Sequence, residues 1–364
     1  MKLCVVLGTR PEIIKLSSIM REIARLKLDC FVVHTGQHYS ASLDSVFFEQ
    51  LGLPPPKYNL HVGSGTHAEE TGRMLIAIEG ILLDEKPSIV LTEGDTNSVL
   101  AACLAASKLG IKLAHVEAGA RSFDRRMPEE VNRVIADHLS DYLFASTEEA
   151  RKNLIAEGIA DEKIFVTGST AVDAVKENAE IASHIELDFV DPGDKYAALT
   201  LHRQESVDDK DRLESILDGV VNAANALGLK LVYPMHPRTA KRIKEFELEV
   251  PREIKVVPPQ KYFEFLKVIS NAQLVFTDSG GVQEETCIVK VPCVTLSEST
   301  AWPETLAAGS NVLGGYTKTS ILRAARQVIR RKRNWGDPLG DGQAGRRTVR
   351  ILKRLLRTAP APAE

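Results

Sequence analysis

The stretch His115–Arg133, HVEAGARSFDRRMPEEVNR, reads as one strand–loop–helix unit. The apolar run Ile111 to Val116 has the composition of a buried strand and delivers Glu117 into a glycine-containing turn. An arginine-rich loop follows, and Pro128 opens a helix with Glu129 and Glu130 in its first turn. Glu117 then lies at the carboxyl end of a strand, where open α/β sheets bind their ligands. Glu129 and Glu130 admit two readings, as active-site acids or as carboxylates that complement the positive end of the helix dipole.

The same alternation extends outward in both directions. Lys2 to Leu7, Phe31 to His34, Ser88 to Thr92, Lys112 to Val116, Tyr142 to Ala145 and Ile164 to Thr167 are short β-rich runs separated by helical patterns, which predicts a parallel, doubly wound sheet. After a charged helical connection, Ala171 to Ile185, and the turn-rich Asp191-Pro192-Gly193-Asp194, the pattern restarts. Tyr196 to Leu201, Lys230 to Tyr233, Ile254 to Val257, Leu274 to Thr277 and Cys293 to Leu296 predict a second Rossmann-like domain. The expected division is residues 1–170 and 171–344, with the last helix, about 345–358, packing on the first domain and 359–364 as a disordered tail. Two such sheets are expected to face a cleft that carries one shared site.

At 364 residues the chain has room for two cores, and 44% hydrophobic with 26% charged residues is a globular composition. No apolar run is long enough to span a bilayer, and the first residues carry no leader pattern, so a cytoplasmic location away from membranes is expected. A net charge of −3 argues against nucleic acid as a partner. The arginines from Arg323 to Arg357 alternate with aliphatic residues at helical spacing and lack base-stacking aromatics, so they read as the polar faces of two amphipathic helices. Cys4, Cys30, Cys103, Cys287 and Cys293 stand singly in apolar segments, as buried free thiols would.

Five motifs could carry chemistry. In GTRPEIIKL the first strand ends near Gly8 and a helix starts at Pro11, so loop amides, Arg10 and Lys15 form a candidate anion site, although dinucleotide and P-loop spacings are absent. TDSGGVQEE repeats the device: Ser279, Gly280 and Gly281 let a phosphate approach a helix start, and Glu285 one turn on is placed for a ribose diol. Asp278 and Ser279 could equally be plain capping residues. EGDTNS places Asp95 after a strand, and LTLHRQES places His202, Arg203 and Glu205 after another. With Glu117 and Glu129 they supply the carboxylates and imidazole that proton transfer at carbon requires. MHPRT adds His236 and Arg238 at a further strand end. No spacing signals a metal, and no cofactor is implied.

With these residues assembled, the chain resembles the non-hydrolysing UDP-N-acetylglucosamine 2-epimerase family over nearly its whole length, from GTRPEIIKL through HTGQH, EGDTN, HVEAGARSFDRRMPEEVNR, LTLHRQES and TDSGGVQEE to WPETLAAG. RSFDRRMPEE, MHPRT and KRNWGDPLGDG are most similar to its archaeal branch. The resemblance implies a GT-B-like fold, a C-terminal helix crossing back to the first domain, and a cytoplasmic homodimer. It implies that UDP-GlcNAc loses its C2 proton and UDP by anti elimination, and that UDP returns to the bound 2-acetamidoglucal by syn addition to give UDP-ManNAc. By motif match the catalytic residues are Asp95, Glu117, Glu129 and His202. Substrate contacts match Arg10, Lys15, Arg203, Gln260, Phe265, Ser279, Gly280, Gly281 and Glu285. A second UDP-GlcNAc acting as allosteric activator would involve Gln37, His38, Arg73 and His236.

The chain also departs from the family pattern. Many relatives read TERPE where this chain reads TAWPE, so Trp302 replaces a diphosphate-binding arginine and Ala301 its neighbouring acid. One charge-assisted contact worth roughly 1.5–3 kcal/mol is lost unless another cation substitutes. Ser206 and Ala120 replace a common asparagine and leucine, and Ser40 stands where an activator-binding glutamine is found. Three further readings stay open: a 2-epimerase of a UDP-diacetamido uronic acid, a retaining GT-B glycosyltransferase, and a nucleotide-sugar sensor.

Overall fold

A computed structural model describes residues 2–36, 48–191 and 193–358. Gln37, His38, Ser40 and the tail 359–364 lie outside the described residues. The chain forms two compact units, one from the residues up to Ala174 together with those from Leu339 onward, the other from Val175–Pro338.

The first unit holds seven parallel strands: β1 (Leu3–Leu7), β2 (Cys30–His34), β3 (Tyr58–Asn59), β4 (Ile89–Glu93), β5 (Lys112–Ala118), β6 (Tyr142–Ala145) and β7 (Ile164–Val166), in the order β3-β2-β1-β4-β5-β6-β7. Its helices are α1 (Arg10–Arg25), α2 (His67–Glu85), α3 (Asn97–Lys108), α4 (Pro128–Leu139), α5 (Glu148–Ala156) and α6 (Thr170–Ser183), the last running into the second unit. β1 and β4 are buried along their whole length, as strands covered on both faces must be, and this is why LCVVL and the IVL that opens β4 read as apolar runs. Cys4, Val6, Val33 and Val90 of the sheet pack on Met74, Ile78 and Leu82 of α2 and on the alanine-rich face of α3.

The second unit repeats the plan with β8 (Tyr196–Thr200), β9 (Lys230–Pro234), β10 (Ile254–Val257), β11 (Leu274–Thr277), β12 (Cys293–Thr295) and β13 (Asn311–Leu313), ordered β10-β9-β8-β11-β12-β13. Its helices are α7 (Gln204–Val207), α8 (Lys210–Leu227), α9 (Pro237–Glu245), α10 (Tyr262–Asn271), α11 (Gly280–Ile288), α12 (Pro303–Ala308) and α13 (Lys318–Ile329). Both sheets have the doubly wound order in which the winding direction reverses between the first and fourth strand, and ligands bind at the carboxyl ends of strands at such a switch point. The loops after β1, β4 and β5 in one unit, and after β8 and β11 in the other, carry the polar motifs. β3 and β13 are absent from the sequence reading because strands of two and three residues are too short to leave a periodicity to detect.

The chain returns to the first unit through α14 (Ala344–Thr358), which packs on α1. The Asp173 carboxylate accepts the amides of Ala344 at 3.0 Å and Gly345 at 2.8 Å, satisfying two of the N–H groups that a helix start leaves unpaired. Gly345 is required by contact: a Cβ there would come within 2.5 Å of Ser18 Oγ and 2.9 Å of the Ser18 backbone carbon. Gly345→Ala is therefore expected to cost about 1–3 kcal/mol, read as a lowered urea midpoint with the slope unchanged. Four of the five cysteine side chains are buried and Cys30 is partly so, all as free thiols. Among the described residues no helix is long and apolar enough to cross a membrane.

Candidate active site

In the first unit the acids gather at the switch point. Strand β5 continues two residues beyond the predicted Val116, and its pairing with β6 slips between Val116 and Ala118. Glu117 is the extra residue of this bulge and adopts the left-handed conformation with φ +66°. A non-glycine residue in that region costs on the order of 1–3 kcal/mol, and such strain concentrates at functional positions. The bulge aims the Glu117 carboxylate at the Lys15 ammonium, with which it pairs directly. Lys15 Nζ is also 3.4 Å from Oε1 of Glu93, the last residue of β4. Lys15 is thus bound into a carboxylate cluster, which the reading of GTRPEIIKL as a loop-amide anion site did not contain.

That reading needs a second correction. The amides of Gly8 and Thr9 already donate to Glu12 Oε2 at 2.9 and 2.7 Å, while Thr96 Oγ1 donates to Glu12 Oε1 at 2.9 Å. The chain's own carboxylate occupies the place proposed for a bound anion. Burial pushes the Glu12 carboxyl up to about 7 against the pull of these hydrogen bonds.

Asp95 is half-buried beside this cluster and pairs with Arg133, which also donates to Glu130 at 3.0 Å. Asn132 donates to the Asp95 carbonyl at 2.9 Å. Glu130 is accounted for by neither sequence reading: it accepts the Ser122 amide at 2.9 Å and the Phe123 amide at 3.0 Å, so it pins the arginine-rich loop. Glu129 is half-buried in the first turn of α4. Beneath the site, His115 Nδ1 meets Asp137 Oδ1 at 2.7 Å and Nε2 meets the Gly94 carbonyl at 2.8 Å. Asp137 Oδ2 also accepts the Gly119 amide at 3.1 Å and pairs with Arg121 at 2.7 Å. This buried network holds the turns on either side of Asp95 and Glu117. Sequence reasoning missed it because His115 and Asp137 sit inside regular elements with only their tertiary contacts to reveal them.

In the second unit, Asp278 is not a helix cap. Its carboxylate accepts the amides of His202 at 3.0 Å and Arg203 at 2.9 Å and lies 3.4 Å from His202 Nδ1, so it fixes the turn after β8. Ser279 stands at the N-cap of α11 with no side-chain cap hydrogen bond. A Cβ on Gly280 would lie 3.4 Å from the Trp302 indole nitrogen and 3.6 Å from an Arg203 guanidinium nitrogen, whereas one on Gly281 would meet open space. Trp302 is buried, and Arg203 is the cation brought to this helix start. Glu285 is half-buried in the second turn of α11, and Phe265 is half-buried in α10. Gln260 donates to the Pro258 carbonyl at 2.6 Å. His236 caps α9 by accepting the Arg238 amide at 3.2 Å, and its ring lies 5.4 Å from that of His202. Arg238 turns to Asp208 at 2.7 Å in an exposed ion pair. Arg73 is an exposed residue of α2 that donates to the Glu69 carbonyl. Among the described residues no group of His, Cys, Asp or Glu is arranged to hold a metal ion.

The family model described as UDP-N-acetylglucosamine 2-epimerase matches residues 21–353. The chain belongs to that family. It is 52% identical to the UDP-N-acetylglucosamine 2-epimerase of Methanocaldococcus jannaschii over 97% of this chain and 99% of the relative. The crystal structure of the M. jannaschii enzyme in complex with UDP-GlcNAc and UDP superposes with a TM-score of 0.93, covering 97% of this chain and 100% of that one. A UDP-2,3-diacetamido-2,3-dideoxy-D-glucuronate 2-epimerase of Pseudomonas aeruginosa is 42% identical over 98% of this chain and 100% of the relative. The two parallel sheets flanked by helices are the GT-B-like architecture of these epimerases.

Proposed function

We propose that the chain interconverts UDP-GlcNAc and UDP-ManNAc by inverting C2 through elimination and re-addition of UDP. The observation that carries this reading is Glu117, held as a strained bulge residue against Lys15 at a switch point, in a chain that matches the M. jannaschii epimerase from end to end. An unactivated C2–H is not acidic. Departure of the diphosphate must run ahead and leave oxocarbenium character at C1, which acidifies the neighbouring proton. Carboxylates then serve twice, as proton carriers and as stabilisers of positive charge.

In this proposal Asp95, Glu117 and Glu129 act on the sugar, and His202, whose turn Asp278 fixes, is a further proton carrier. Ser279, Gly280, Gly281 and Glu285 hold the nucleotide, with Gln260 and Phe265 against the base. Arg203 takes over the diphosphate contact that Trp302 cannot make, supported by its approach to Gly280. The chain works as a cytoplasmic homodimer, with His236 and Arg73 in any activator response; Gln37 and His38, assigned to the same response, lie outside the described residues. The likeness to the Pseudomonas enzyme favours a second substrate, a UDP-diacetamido uronic acid.

Product analysis tests this. UDP-GlcNAc is expected to yield UDP-ManNAc and to be turned over with the higher kcat/KM of the two substrates. Release of free ManNAc with UDP, or sugar transfer to an acceptor, contradicts the proposal.

A further inference from the structure

Glu93 ends β4 with 2% of its surface exposed, and among the described residues its Oε1 accepts no hydrogen bond. Three glutamates meet here. Glu12 and Lys15 face Glu93 from α1, and Glu117 faces it from β5, within side-chain hydrogen-bonding reach. Arg133, which pairs with Asp95, also bears on Glu117 electrostatically. Glu12 is engaged by two backbone amides and a hydroxyl, and Lys15 is the cation that pairs with both Glu93 and Glu117. Two carboxylates in hydrogen-bond contact inside a protein do not both ionise, because their mutual repulsion adds to the loss of solvent. Lys15 pairs directly with Glu117 and stands further from Glu93, and Glu93 is the more deeply buried of the two at 2% against 8% exposure.

We propose that Glu93 is a positioning residue of the proton-transfer step: it carries the one proton shared with Glu117 and, together with Lys15, presents Glu117 as the single anion of the pair. The inference rests on the 2-epimerase reading for its consequence in catalysis. Burial, reinforced by the neighbouring Glu117 and opposed by Lys15, raises the Glu93 carboxyl well above the usual range. Glu93–OH donates to one Glu117 oxygen and Lys15 to the carboxylate as well, which still leaves the carboxylate lone-pair sites for a substrate proton. When that proton arrives, the pair goes from one proton to two and the C–H electrons stay on the sugar. A second ionisation at high pH would instead give two anions that compete for Lys15 and pull it away from Glu117.

Two measurements test this on the full-length chain. Infrared spectra of protein with 13C-labelled glutamate, taken at about pH 8, where an ordinary carboxyl is ionised, should show the carbonyl band of a buried protonated acid. The band should vanish in Glu93→Gln and persist in Glu12→Gln. Its absence from the unmutated protein overturns the proposal whether or not the variants fold. In kinetics, Glu93→Gln keeps a donor toward Glu117 but cannot ionise. The alkaline limb of the kcat/KM profile should move up by about one pH unit or more, while KM for UDP-GlcNAc stays within about threefold. A profile that superimposes on that of the unmutated enzyme overturns the role. A protein that shows the band yet epimerises nothing refutes the functional reading and not the shared proton. An active epimerase without the band refutes the shared proton alone.

Discussion

Glu117→Gln is expected to lower kcat by ~10²–10⁴-fold with KM for the UDP-sugar little changed, the loss typical when a positioned proton carrier is removed. Glutamine is nearly isosteric and occupies the same bulge, so the backbone strain at φ +66° remains and the fold has no new reason to rearrange. What disappears is the ability to hold a proton, together with the charge that pairs with Lys15. The loss should fall on kcat because the interaction matters where positive charge and a mobile proton develop, and not on ground-state binding. A Glu117→Gln enzyme with kcat within about tenfold of the unmutated value would remove Glu117 from the chemistry.

Asp137→Ala is expected to cost about 3–5 kcal/mol, the penalty for stripping one partner from a buried charged pair. Both His115 ring nitrogens face acceptors, Asp137 Oδ1 at 2.7 Å and the Gly94 carbonyl at 2.8 Å, so both carry hydrogen and the ring is an imidazolium. Removing Asp137 leaves this cation and Arg121 buried together, with Glu157 opposite the arginine, and frees the Gly119 amide. Burial pushes the His115 imidazolium down, but the Asp137 carboxylate outweighs it and the net shift is upward. Burial pushes Asp137 up, and His115 with Arg121 outweighs it in the other direction.

The pH signs follow from these directions. A raised histidine contributes stability that is complete below its unfolded value of about 6.5 and is lost as pH rises through the folded value. A lowered aspartate contributes stability that is complete above about 3.9 and is lost as pH falls through the folded value. The gap in urea midpoint between the unmutated chain and Asp137→Ala should thus be widest between those two values and narrow at alkaline pH. A gap that does not change above about pH 6.5 would show that His115 is neutral.

The architecture was open to reading because β1, β8 and β11 and the first residues of β4 are buried and mainly apolar, while their helices keep an amphipathic period. The strand-end motifs followed, since the carboxyl ends of such strands are fixed by the alternation itself. Glu117 could be located on a strand end but not on a bulge, because the slip against β6 depends on pairing that no local pattern encodes. The roles of Glu12, Glu93, Glu130 and Asp278 stayed hidden for a related reason. Glu93 stood inside the quoted EGDTN motif, yet its importance comes from Lys15 on another element, just as Lys15 and Glu117 meet across 102 residues. Spacing signals a helix start, but whether an outside anion or the chain's own carboxylate fills it is settled only in three dimensions.

The central claim is that this chain makes and breaks the C2–H bond of a UDP-sugar with the acids at the switch point of its first sheet. Incubating it with UDP-GlcNAc in D2O and reading C2 by NMR tests this directly. Deuterium should appear at C2 of both UDP-GlcNAc and UDP-ManNAc, and Glu117→Gln should suppress it in step with epimerisation. UDP-ManNAc formed with its C2 hydrogen unexchanged, or a sugar nucleotide recovered with no label after prolonged incubation, would contradict the account.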